Sequence, residues 1–229
     1  MSQISFDEQI QFPNEFIMNP ENRCPCILVL DTSGSMSGEP INELNSGLQQ
    51  FARELAADSL ASKRVECAIV TFGDSVELAC DFVTADRFVA PILSASGATP
   101  MGEAINMALD KIAERKQTYK QNGISYFRPW LLLMSDGEPT DASIWPTAAV
   151  RAKQEQTKKS LILHSIGVGS ANLARLGEFS VSPAMRLQGL KFSEFFRWLS
   201  ASLGARSRSQ PGQAISLEDP TKTWGSLEG

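Results

Sequence analysis

Residues 26–35 read Cys-Ile-Leu-Val-Leu-Asp-Thr-Ser-Gly-Ser, and Cys26–Leu30 is an unbroken apolar run that stops at Asp31. A run this short, bounded by polar and glycine residues, reads as a strand buried on both faces, which is the habit of parallel sheets. Working outward, Glu39-Pro40 opens a helix, acid and proline both being favoured in a first turn. Its apolar residues Ile41, Leu44, Leu48, Phe51 and Leu55 fall three and four apart, which makes one core-facing stripe. Val65–Phe72 is a second buried strand, and Ser75–Val83 after the Gly73-Asp74 turn reads as an edge hairpin or short strand pair.

The alternation continues down the chain. Ser96–Pro100 is a loop leading into a helix with Met101, Ile105, Ala108, Leu109 and Ile112 on one face. Pro129–Met134 is another buried run, followed by a helix carrying Trp145, Ala148, Ala149 and Ala152, and by a strand over Leu161–Val168. Ala171–Phe179 reads as a short helix, Ala184–Leu187 as a short strand, and Phe192, Phe195, Phe196, Leu199 and Leu203 mark a last helix. Strands alternating with helices predict an α/β fold, three-layered and doubly wound, with a mostly parallel central sheet and one antiparallel edge strand. Residues 1–25 read as an N-terminal arm, 26–203 as the domain, and 204–229 as an extended, loosely packed C-terminal tail with Trp224 as its anchor.

Composition narrows the chemistry. Among 229 residues there are 21 basic and 26 acidic side chains, a net charge of −5, which provides no basic field for nucleic acid or an anionic membrane. His164 is the single histidine, so a zinc site built on several His ligands is excluded within one chain; within a strand it reads as a hydrogen-bonded structural residue. The apolar runs fall far short of the ~20 residues that cross a bilayer. The first ten residues, MSQISFDEQI, carry acids where an export signal needs bases, so a cytoplasmic protein is expected. Cys24, Cys26, Cys67 and Cys80 lack the paired spacing usual in structural zinc sites and are expected to be reduced structural thiols.

Ligands in such sheets bind beyond the carboxyl ends of the strands. Three such places carry hard oxygens: Asp31-Thr32-Ser33-Gly34-Ser35, Thr99, and Asp136-Gly137. On one rim, two carboxylates and three hydroxyls would suit Mg²⁺, with Mn²⁺ and Ca²⁺ as the alternatives. Asp31-x-Ser33-x-Ser35 with Thr99 and Asp136-Gly137 resembles the metal-ion-dependent adhesion site of von Willebrand factor A (VWA) domains. The stretches at 24–40, 62–73, 95–102, 128–141 and 195–203 resemble more closely the TerY-like VWA proteins of bacterial tellurium-resistance and stress operons.

The resemblance implies Asp31, Ser33, Ser35, Thr99 and Asp136 as metal positions, serines and sometimes threonine binding directly, aspartates directly or through water. It also implies a partner Glu or Asp completing the metal shell, a stress-response setting with protein kinases or PP2C-type phosphatases as plausible company, and no catalysis. Glu39, Glu103, Glu138 and Asp141 near these loops read as helix N-terminal charges or solvated groups, with Glu138 or Asp141 the internal alternative for the open metal position, and Arg206 and Arg208 read as solvated tail residues or contacts for an acidic partner.

Two other readings compete. A haloacid-dehalogenase-like phosphatase would use Asp31 as nucleophile, but its Asp-x-Asp motif has Ser33 at the second position, which cannot serve as general acid at neutral pH. A metal-independent scaffold is the other. Gly34–Gly38 has Met36 at its centre, so a G-x-S-x-G hydrolase motif is absent.

Overall fold

Strand β1 (Cys24–Asp31) is buried along its whole length and has a parallel neighbour on each side, which makes it the centre of the sheet. The computed structural model describes residues 14–227. On one flank lie β2 (Val65–Phe72) and the antiparallel β3 (Val76–Thr84); on the other lie β4 (Trp130–Ser135), β5 (Ile162–Gly167), β6 (Met185–Leu187) and β7 (Gly225–Ser226). The order is β3-β2-β1-β4-β5-β6-β7, with antiparallel pairs only at the two edges among the described residues. This is the expected mostly parallel α/β sheet, with β7 as a second antiparallel edge that the sequence reading left inside the tail.

Alternation along β1 sends Cys26, Leu28 and Leu30 to one face and Ile27 and Val29 to the other. The first face is covered by α2 (Glu39–Ala57) and α7 (Phe192–Arg208), the second by α4 (Met101–Gln121), α5 (Trp145–Thr157) and the short α6 (Leu173–Gly177). α2 and α7 approach so closely that a Cβ on Gly47 would lie 2.5 Å from the Phe196 ring. A four-residue helix, α3 (Ala61–Arg64), leads into β2.

The ends of the chain differ from the expected arm and tail. Residues 1–13 lie outside the described part, but Asn14–Met18 forms helix α1, and β1 begins at Cys24, two residues before the expected boundary. Phe16 packs edge-on to Tyr119 at 6.1 Å and lies under the guanidinium groups of Arg23 and Arg115. Below it Glu66, fully buried, accepts hydrogen bonds from Arg23 Nε at 2.8 Å, Arg115 Nε at 2.7 Å and the Tyr119 hydroxyl. A buried charge is tolerable only with such partners.

At the other end α7 runs on to Arg208, whose Nη1 meets Asp58 at 2.6 Å, while Arg206 stacks on Phe127; neither is a free tail cation. The chain then returns, and Trp224 is fully buried, 4.9 Å from Phe195 and 5.3 Å from Trp198. The segment after α7 is therefore anchored to the core rather than loose.

The cysteines are unpaired, and burial pushes the Cys24 thiol up to about 12 and those of Cys26 and Cys67 well above the usual range. His164 sits edge-on to Trp130 and Trp198, and burial holds its imidazole below its ordinary pKa.

Two outcomes are expected. Trp224→Ala removes a buried indole and should cost roughly 3–5 kcal/mol, read as a lower urea midpoint. Because the native His164 binds its proton less readily than the unfolded chain, its contribution to stability is present above pH 6.5 and is lost as pH falls. Relative to the parent, the melting temperature of His164→Gln should therefore shift less unfavourably when pH is lowered from 7.5 to 5.

Candidate metal site

The site is built at the carboxyl ends of β1 and β4, where two loops leave in opposite directions. β1 ends in Asp31, which is 0% exposed. Its Oδ1 accepts from the Ser33 backbone N–H at 2.8 Å, and its Oδ2 accepts from the Ser135 hydroxyl. Ser135 is the last residue of β4, and its Oγ also accepts from the Gly137 N–H at 3.1 Å. The first loop therefore grips the third through a single carboxylate. Beyond it Gly34–Met36 makes a 3-10 turn that places Ser33 Oγ 3.0 Å from Ser35 Oγ, and Ser35 Oγ donates to Asp136 Oδ1 at 2.7 Å.

Thr99 belongs to the loop before α4, and three contacts fix it. Its N–H donates to Thr140 Oγ1 at 3.1 Å, its carbonyl accepts from Thr140 N at 2.9 Å, and the Gly97 carbonyl accepts from Gly34 N at 3.0 Å. Thr99 and Asp31 both lie near Gly137: a Cβ there would sit 3.4 Å from Thr99 Oγ1 and 4.0 Å from Asp31 Oδ2. Asp31, Ser33, Ser35, Thr99 and Asp136 thus share one rim. Ser33 and Thr99 are largely buried, and Ser35 is exposed.

Electrostatically the rim is unbalanced. Neither Asp31 nor Asp136 has an ion-pair partner among the described residues. Burial is the main cause that pushes the Asp31 carboxyl up to about 6; hydrogen bonds from Ser135 and Ser33 oppose it, and the charge of Asp136 adds to it. A cation placed among these oxygens would remove that penalty. The donor set, two carboxylates and three hydroxyls, is hard oxygen throughout and fits Mg²⁺. Among the described residues, no three His, Cys, Asp or Glu side chains are grouped so as to hold a metal ion by themselves.

Glu138 and Asp141, the internal candidates for the open position, are held elsewhere. Glu138 accepts from Asn172 Nδ2 at 2.7 Å and pairs with Arg175 Nε at 3.0 Å, and Asp141 Oδ2 accepts from the Glu103 N–H at 2.9 Å in the first turn of α4. Ser135 and Thr140 are the positioning residues that sequence reasoning missed, whereas Asp141, expected as a helix N-terminal charge, does accept from the first turn of α4. The available signal was a polar residue closing the apolar run 130–134, and a Thr-Asp pair just before a helix.

The family model described as the von Willebrand factor type A domain matches residues 26–195. No curated protein matches the chain. Among solved structures, the vWF domain of the type V pili tip protein Mfa5 from Porphyromonas gingivalis is similar at 12% identity and TM-score 0.61, covering 85% of this chain and 99% of that one. The pilus adhesin SpaC from Lactobacillus rhamnosus GG is similar at 12% identity and TM-score 0.64, covering 81% of this chain and 31% of that one. The ArnB paralog VWA2 from Sulfolobus acidocaldarius is similar at 18% identity and TM-score 0.53, covering 78% of this chain and 44% of that one. At these identities the likeness is one of fold. No helix among the described residues is long and apolar enough to cross a membrane. Domains of this type are usually non-catalytic binding modules that often hold a divalent metal. With the family model matching well over half of the sequence, the chain belongs to the von Willebrand factor type A domain family.

Proposed function

We propose that the protein is a cytoplasmic Mg²⁺-dependent protein-binding module that captures a Glu or Asp of its partner through the metal. The observation that carries this reading is the uncompensated charge of Asp31 and Asp136 beside three hydroxyl oxygens on one rim. Ser33, Ser35 and Thr99 would hold the ion with neutral oxygens, and Asp31 and Asp136 would hold it directly or through water. When bound, the ion supplies a strong electrostatic contact for an incoming carboxylate. The chain's own part is to keep those oxygens in place. Asp31 is clamped by Ser33 N and Ser135 Oγ, Ser35 is tied to Asp136, and Thr99 is tied to Thr140.

The resemblance of residues 24–40, 95–102 and 128–141 to TerY-like proteins supports a tellurium-resistance or stress-response setting, with a kinase or PP2C-type phosphatase system supplying the partner. No catalytic step is assigned to the chain.

Affinity capture from the native cell, with Mg²⁺ and with chelator, should retain a partner only in the presence of the ion. Capture that ignores chelation would return the scaffold reading. Asp31→Ala should abolish measurable Mg²⁺ binding in calorimetry and lose the partner. Because it also removes a buried unpaired carboxylate, its melting temperature in chelator should equal or exceed that of the parent.

A further inference from the structure

A cavity of about 260 Å³ opens beside the metal loop, and its wall includes Thr32, Thr71, Asp74, Glu77, Ile92 and Ser96. We propose that it receives a Lys or Arg side chain of the protein partner. The partner segment would then present a basic residue within a few positions of the carboxylate that reaches the metal. The partner and its spacing rest on the reading above; the cavity's preference for a cationic side chain does not.

The chemistry of the walls selects the occupant. Thr32 and Thr71 are each only 8% exposed, yet neither hydroxyl has a hydrogen-bond partner among the described residues. Neither oxygen is shut off from solvent, so each opens to the cavity, where it can accept a hydrogen bond from an entering donor. Asp74 and Glu77 stand over the same space. Asp74 Oδ2 accepts from Ser96 Oγ at 2.6 Å and Glu77 Oε1 accepts from Ser75 Oγ at 2.7 Å, so both carboxylates are oriented, and neither has an ion-pair partner among the described residues.

No Lys, Arg or His lines the cavity, so the walls repel an anion and offer a cation acceptors on several sides. Ile92, 86% exposed, and Leu93 add an apolar flank of the kind that covers the methylene stem of a long basic side chain. The volume is below the ~300 Å³ where small-molecule pockets usually begin, which favours one side chain over a free metabolite.

Position ties the cavity to the metal loop. Thr32 stands between Asp31 and Ser33 in the chain, and its carbonyl accepts from Ser96 N at 2.8 Å. The next residue, Gly97, accepts from Gly34 N. Gly97 has φ +79° and lies against Asp74, where a Cβ would come within 2.1 Å of Asp74 Oδ1, so only glycine lets this turn close the wall. One pair of loops therefore forms both the cavity wall and the side of the metal rim.

The test uses amide NMR on the full chain. In chelator, n-butylammonium should give saturable shifts at Thr71, Asp74 and Glu77, its neutral counterpart 1-butanol should not, and Glu77→Gln should weaken the ammonium at least fivefold. Glu77 is exposed, so this variant should keep its fold. Thr71→Val, which removes one unpartnered hydroxyl, should weaken it too. Equal shifts from butanol, or no change in Glu77→Gln, would overturn the assignment; so would Mg²⁺ alone saturating Asp74 and Glu77, because the cavity would then be a cation site.

With Mg²⁺ present, peptides carrying Glu and Lys separated by one to four glycines should include at least one that binds fivefold tighter than its norleucine counterpart. If none does, the link to the partner fails. If the chain binds butylammonium but no Mg²⁺, the metal reading falls and the cavity stands.

Discussion

A carboxylate buried at the end of the central strand is the constraint on which the functional rim depends. Asp31 is removed from water with no positive group beside it, and its charged form is penalised accordingly. The surroundings reduce that penalty with two donors, the Ser33 N–H and the Ser135 hydroxyl, and those donors come from two different loops. Solvating one group therefore docks the β1 and β4 loops to each other. The Thr99 loop is then added by main-chain bonds to Thr140 and Gly34. What looks like three separate pieces of sequence is one hydrogen-bonded assembly with a surplus of negative charge at its centre.

The fold was legible in the sequence because each buried strand is a short apolar run and each covering helix has a clear stripe. Cys26–Leu30, Val65–Phe72 and Pro129–Met134 announce strands whose two faces both need cover, and the helix stripes provide it. The ends of the chain were less legible. Phe16 and Trp224 are single aromatics in polar stretches, and nothing in their local sequence says that one will cover the Glu66 cluster or that the other will pack on α7. β7 is two residues long, too short for any periodicity, and exists because the edge of β6 is available to pair with it.

The candidate ligands could be read from side-chain type and place after a strand, but the residues that hold them could not. Ser135 and Thr140 act through contacts between segments far apart in sequence: Ser135 reaches back to Asp31, and Thr140 to Thr99. The threonines of the cavity belong to the same class. Thr71 ends an apolar strand and Thr32 lies inside a ligand motif, and only the assembled loops show that their hydroxyls face a shared space without partners.

The two borders of the sheet are closed by different means. At one border the final strand is a two-residue stub, held in place by the buried indole beside it. At the other, β3 carries Glu77 and Asp81 on its outward side, and its pairing with β2 shifts register twice. Unpaired strand borders are where chains stack into fibrils; a stub, like charges and irregular register all discourage that. Borders closed in this way disfavour backbone pairing between copies of the sheet, so an association through the proposed loop rim would not compete with strand addition.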